Sequence, residues 1–143
     1  MSSAPYTSAL EAFMSGAIDL DTAALKCAFV RGYTFSASHV FVSDVTGAGG
    51  TLNGTSAALA NKTITGGVLD ADDTVIATTA SASNHTLILF QASAVTGGAD
   101  VAASAQRLIA HFDTGTDLPI QPGTGDTPVT WSNGASKILK IGS

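Results

Sequence analysis

The sequence predicts a mainly β fold, an antiparallel β-sandwich of about six or seven strands packed against one N-terminal amphipathic helix. Three observations lead to this fold class. Apolar residues recur at helical spacing near the start, alternate every second residue in several later runs, and are interrupted there by Gly- and Pro-rich stretches. The 143 residues contain no repeat of constant period and have the length of one domain. We therefore expect a single β-sandwich domain over residues 1–143 that includes the helix.

The helix is predicted over about residues 5–16. Its apolar side chains fall at i, i+4, i+7, i+8 and i+11, which places them on one face: Tyr6, Leu10, Phe13, Met14 and Ala17. Pro5 suits the first helical turn, and Gly16 suits the end of a helix.

Two runs predict the main strands. In ALKCAFV (24–30), Leu25, Cys27 and Phe29 share one face, because successive side chains in a strand point to opposite sides. HTLILFQA (85–92) is apolar on both faces, which is typical of a central strand buried on both sides.

Shorter strands are predicted in QRLIAHFD (106–113), KTITGGVLD (62–70) and TVIATT (74–79). The Gly-rich residues 43–60 and the Ala- and Gly-rich residues 93–104 are expected to be long loops. Long loops in compact domains are commonly functional, so these two segments are of interest for binding.

The last residues predict a hairpin. Residues 114–126 carry two of the four prolines and form a loop, and Asn133-Gly134 then separates two apolar runs, which is a strong signal for a two-residue turn. In that register Val129 faces Ile138, and Trp131 shares their face. The final strand is apolar on both sides, so we expect it to be an interior strand.

Composition excludes several classes of function. Only 12% of the residues are charged, the net charge is −5, and the six basic residues are scattered, which argues against nucleic-acid binding. Residues 1–13 lack the features of a signal peptide, no run is long enough to span a bilayer, and Cys27 is alone. We expect synthesis in a reducing cytosol. A surface with so few charges suits a packed assembly.

No residue pattern in the sequence predicts catalysis. There is no nucleophile elbow, and His39, His85 and His111 have no catalytic signature around them. The acidic clusters 19–21 and 70–73 lack the ligand spacing of a calcium loop and suit turns at strand ends. We therefore predict no catalytic, cofactor-binding or metal-binding residue, and a protein that is not an enzyme.

Four stretches, taken in order, carry a resemblance to a known family: GAIDLDTAALKCAFV, FVSDVTGAGGTLNG, ANKTITGGVLDADDTV and LIAHFDTGTDLPIQPGTGDTPVTWSNGASKILKI. Together they resemble a family of small virion structural proteins of tailed bacteriophages. The resemblance covers most of the chain and is strongest after Leu108. Two features depart from the family pattern: residues 93–104 replace a strand bearing Tyr and Lys, and Ser132 replaces an Asp.

The resemblance implies a place in the virion. It implies a head decoration, or cement, protein on the outer capsid surface, with the major capsid protein as partner and a homo-oligomer, preferably a trimer, as the bound form. The residues that we expect to contact the capsid are 43–60 and the N-terminal residues. Two alternatives stay open, a tail- or fibre-associated structural protein and a carbohydrate-binding surface module.

Overall fold

The computed structural model describes residues 4–78, 85–95, 97–112, 125–129, 131 and 138–140. It is mainly β, with 41% of the residues in strands and 14% in helices, and its sheets are antiparallel, which confirms the predicted fold class. The strands are β1 (Ala4–Pro5), β2 (Ala24–Arg31), β3 (Thr51–Thr55), β4 (Thr63–Thr65), β5 (Val68–Asp70), β6 (Thr74–Thr78), β7 (His85–Ser93), β8 (Arg107–Phe112), β9 (Gly125–Val129) and β10 (Leu139–Lys140), and the helices are α1 (Thr7–Ser15) and α2 (Val42–Gly47). The described residues thus form more strands than the six or seven predicted, because several strands have only two or three residues.

A five-stranded sheet with the order β1-β8-β7-β2-β3 forms the centre of the molecule. β7 lies in its middle and pairs with β2 along nearly its whole length, from Ala24↔Ser93 to Arg31↔His85. Nearly every side chain of β7 is buried. The predicted central strand is therefore confirmed.

The central sheet buries a separate hydrophobic cluster on each face. The odd-numbered residues of β2, namely Leu25, Cys27 and Phe29, belong to one, which we call the inner cluster, and Ala28 and Val30 belong to the other, the outer cluster. This alternation is the one that the sequence predicts. Burial of a large apolar side chain contributes about 1.5–3 kcal/mol, so strands buried on both faces supply much of the stability.

The helix α1 begins and ends within the predicted range, but it buries a different face. Gly16 adopts the left-handed conformation and closes the helix, with its N–H directed to the carbonyls of Ala12 and Phe13. Ala9 packs in the outer cluster and Ala12 in the inner cluster, whereas Met14 is 81% exposed. The predicted apolar face was therefore wrong in part, because the small alanines, and not the largest side chains, give the helix close contact with the sheet.

Residues 43–60 are not the long loop that the sequence predicts. They contain most of α2 and the whole of β3, which pairs with β2 at the edge of the central sheet. Gly54 has a φ of +86°, and a Cβ placed there would lie 2.3 Å from the carbonyl oxygen of Ala77. Glycine is thus required where β3 meets β6, since any other side chain would collide with that backbone.

Two small sheets pack against the inner cluster, β10-β5-β4 and β6-β9, and complete a sandwich-like arrangement. Val129, Trp131 and Ile138 are buried in that cluster, in agreement with the shared face predicted for them. Within the described residues β10 pairs with β5 alone and lies at an edge, so the predicted interior position is not found there. The predicted turn at Asn133-Gly134 and most of the loop 114–126 lie outside the described residues.

Candidate functional site

The histidines lie in structural surroundings. His111 is 1% exposed, its ring stacks on Phe35 with centroids 5.2 Å apart, and its Nε2 lies 2.9 Å from the hydroxyl of Thr86. His85 is buried, with its Nε2 3.3 Å from the side-chain amide nitrogen of Asn53. The His111 contact joins the neighbouring strands β8 and β7, and the His85 contact joins β7 to β3 across β2. Both rings therefore help to hold the central sheet together.

A hydrogen-bonded aromatic cluster closes one end of the outer face. The Tyr6 hydroxyl lies 2.9 Å from that of Tyr33, and the Tyr33 hydroxyl lies 2.8 Å from Nδ1 of His39. Phe35 packs against Tyr6 and His111. Burial, reinforced by the hydrogen bond that the Tyr6 hydroxyl donates to Tyr33, raises the pKa of Tyr6 far above its ordinary value. Burial also raises the pKa of Tyr33, so both hydroxyls remain protonated at neutral pH. Together with hydrogen bonds from Thr7 and Ser8 to the carbonyls of Ala37 and His39, they hold residues 33–39 against α1.

The thiol of the single cysteine is buried and has low reactivity. Cys27 is fully buried in the inner cluster, and its sulfur lies 3.5 Å from the Ser56 hydroxyl oxygen. Burial raises the pKa of the Cys27 thiol to about 11. Since the thiolate is the reactive form, this thiol is a poor nucleophile at neutral pH.

The aspartates of the two acidic clusters form hydrogen bonds within a turn and between segments of the chain. The Asp21 N–H donates to Oδ1 of Asp19 at 3.0 Å, and the Trp131 N–H donates to Oδ1 of Asp73 at 2.8 Å. Asp72 accepts a hydrogen bond from the side chain of Asn61 at 2.7 Å. Across the described ranges, no group of three or more His, Cys, Asp or Glu side chains is arranged to hold a metal ion.

The arrangement that is best suited to binding is a surface of small side chains. We define the small-residue surface as residues 94–95 and 97–105, which follow β7 and lie against the start of α2. The Ser43 N–H donates to the Ala103 carbonyl at 3.1 Å, so this segment contacts the region 43–60 that the sequence singles out for binding. Val95 is 64% exposed and Val101 is 42% exposed. This proximity joins two regions that are far apart in the sequence.

The small-residue surface is fixed in place and nearly free of net charge. The Val101 N–H donates to the Ala92 carbonyl at 2.9 Å, which anchors the segment to the end of β7. Its one charged residue, Asp100, forms an ion pair with Lys26 at 3.0 Å. A partner that covers this surface would therefore meet apolar side chains and backbone, with no unpaired charge to desolvate.

Helix α2, which supports this surface, begins with an acidic cap. Oδ2 of Asp44 accepts hydrogen bonds from the N–H groups of Phe41 and Val40, both at 2.9 Å. These two bonds lower the pKa of the Asp44 carboxyl. The ionised carboxylate thus helps to fix the start of the helix.

Comparison with known proteins adds no assignment to these observations. No protein-family model, curated protein or solved structure matches the chain. No helix in the described part of the chain has both the length and the apolar character needed to cross a membrane.

Proposed function

We propose that the chain is a bacteriophage virion structural protein that decorates the outer head surface and stabilises the junctions between capsid subunits. The major capsid protein is its partner, and it binds as a homo-oligomer, preferably a trimer. The observation that carries this proposal is the small-residue surface, which offers apolar contact without unpaired charge. Decoration of a capsid is a mechanical function that requires binding and does not require catalysis.

The small-residue surface can be covered by a partner at a low cost in free energy. Charged groups are depleted from the centres of protein interfaces, because removal of a charge from water is unfavourable unless a partner compensates it. Ala and Gly lose almost no side-chain entropy when they are covered, and the backbone of residues 97–105 is already held by hydrogen bonds. A surface of this kind suits an interface that forms once and persists.

The sequence resemblance supports the same proposal. The stretches that carry it include FVSDVTGAGGTLNG, which spans α2 and most of β3. The alternative of a sugar-binding module has no observation in its favour. Trp131, the side chain that it would need, is 8% exposed and packs on Phe112 with ring centroids 5.9 Å apart.

The direct test is cryo-electron microscopy of purified particles. We expect density for this chain repeated over the icosahedral shell, and removal of the chain should lower the temperature at which heads release DNA. Density confined to the tail would support the tail-associated alternative instead.

A substitution tests the contact itself. Val101→Glu places an unpaired carboxylate on the small-residue surface and should abolish binding to stripped heads. Val75→Glu is the matched control, because Val75 is 50% exposed and lies on β6, outside the small-residue surface. Equal binding by the two variants would show that the small-residue surface is not the contact.

A further inference from the structure

The strand β4 forms an open edge of the small sheet β10-β5-β4. Within the described residues it pairs with β5 alone, and all three of its residues, Thr63–Thr65, are exposed. It is joined to β5 by Gly66-Gly67, both with positive φ, as in the tight turn of a two-residue hairpin. Such an edge carries backbone groups that can pair with another chain.

The register shows which backbone groups face outward. Ile64 lies opposite Leu69, and the Leu69 carbonyl accepts a hydrogen bond from the Ile138 N–H at 3.1 Å, on the side away from β4. Ile64 and Leu69 are therefore a pair that does not exchange hydrogen bonds. In an antiparallel ladder the N–H and C=O of such a residue point away from its partner, so those of Ile64 point to the open edge.

An apolar groove of about 370 Å³ adjoins this edge. It is lined by Ile64 and by residues from the end of α1 and the following turn, namely Phe13, Gly16, Ile18, Asp19 and Leu20. Phe13 and Leu20 are partly buried and pack against the inner cluster. At this groove the inner cluster therefore reaches the surface, directly beside the strand edge.

The charge around the groove determines which charge on a partner is favourable. Asp19 is exposed and is the one charged residue in the lining. The ammonium of Lys62 attracts the carboxylates of Asp19 and Asp21, but it donates its hydrogen bonds to the carbonyls of Leu20, Asp21 and Ala23. The two carboxylates outweigh this one cation, so the charge beside the groove is negative. The groove is thus acidic as well as apolar. A second copy of this chain, with a net charge of −5, is a poor electrostatic match.

We infer that β4 and its groove bind an extended segment of another protein, which pairs as an added strand through Ile64, places an apolar side chain in the groove and brings a Lys or Arg to Asp19. Strand addition uses backbone hydrogen bonds for affinity and a side-chain pocket for specificity, and both are present here. The inference goes beyond the proposed function, since it concerns a different surface and requires no capsid.

The test is a titration of the 15N-labelled full chain with a capped eight-residue peptide of alternating Val and Thr that ends in Lys on both sides. We expect the amide signal of Ile64 to shift and its hydrogen exchange to slow. A peptide of the same length with Pro at alternate positions cannot form a strand ladder and should not bind. A Glu-ended peptide should bind about tenfold more weakly than the Lys-ended one, which corresponds to about 1.4 kcal/mol.

Variants separate the backbone contact from the charge. Ile64→Pro removes the outward N–H and no hydrogen bond to β5, so the chain should fold and bind about tenfold more weakly. Ile64→Ala retains the N–H and is its control. Asp19→Asn should abolish the preference for Lys over Glu, which gives a second readout that does not depend on Ile64→Pro folding.

Several results would overturn the inference. These are no binding up to about 1 mM peptide, a range in which weak strand addition is still measurable, signal changes away from β4 and the groove, or equal affinity of Ile64→Pro and the unchanged chain. Shifts of Ile64 that depend on protein concentration without peptide would assign the edge to a second copy instead.

Discussion

The two faces of the central sheet are covered in different ways. The outer face is closed at one end by side chains, with the Tyr6, Tyr33 and His39 hydrogen bonds holding residues 33–39 against α1. The inner face is covered by the short strands of two small sheets, and among the described residues one of these sheets ends at β4. Cover by side chains leaves no backbone edge, whereas cover by strands leaves one wherever the sheet ends. The open edge at β4 therefore results from the use of short strands to cover the inner face.

The largest effect is expected from removal of the indole at the inner face. Trp131→Ala should lower the free energy of unfolding by about 3–5 kcal/mol, because Trp131 is buried in the inner cluster against Phe112. Urea denaturation measures this change. A loss below about 1 kcal/mol would mean that the indole contributes little to the core.

The contact between β3 of the central sheet and β6 of the small sheet can be broken by substitution of a glycine. Gly54→Ala should lower the free energy of unfolding by about 2–4 kcal/mol, since the added Cβ would collide with the Ala77 carbonyl and the residue has positive φ. Gly47→Ala is the control, because its Cβ meets nothing within 4 Å and it lies in α2. Thermal unfolding of the two variants should differ clearly. Equal stability would show that β3 and β6 are not in close contact.

A double-mutant cycle can measure how much the hydrogen bond between Tyr6 and Tyr33 stabilises the cover of the outer face. Tyr33→Phe should cost about 1–2 kcal/mol, because it leaves the fully buried Tyr6 hydroxyl without its hydrogen-bond partner. The double variant Tyr6→Phe with Tyr33→Phe should cost less than the sum of the two single changes. Additive costs would mean that the two hydroxyls do not interact.

The smallest expected effect is a decrease in the free energy of unfolding at acidic pH. The pKa of Asp44 is lowered from 3.8 by hydrogen bonds from Phe41 and Val40, so its contribution is fully present above pH 3.8 and is lost as the pH falls through the lowered value. Asp44→Asn should reduce the loss of stability over that pH range, as measured by urea denaturation. An unchanged pH profile would show that the cap does not contribute.

The sequence predicts the central sheet well and the binding surfaces poorly. The apolar patterns of residues 24–30 and 85–92 predict β2 and β7, because the pattern along a strand is a local property of the chain. The glycines of residues 43–60 predict a loop, because glycine is common in loops, whereas Gly54 allows a close approach between two strands. The contact of Ser43 with Ala103, and the pairing of Lys26 with Asp100, join residues far apart in the sequence. No local pattern predicts such contacts.

The burial of Cys27 gives the molecule an internal reporter. The thiol lies in β2, beside β7 in the middle of the central sheet, and it is the only cysteine of the chain. Its side chain lies in the inner cluster, so a thiol reagent can reach it only when the layer that covers this cluster opens. The rate of alkylation in native buffer therefore measures how often the two layers separate, and bound partners that hold them together will slow it.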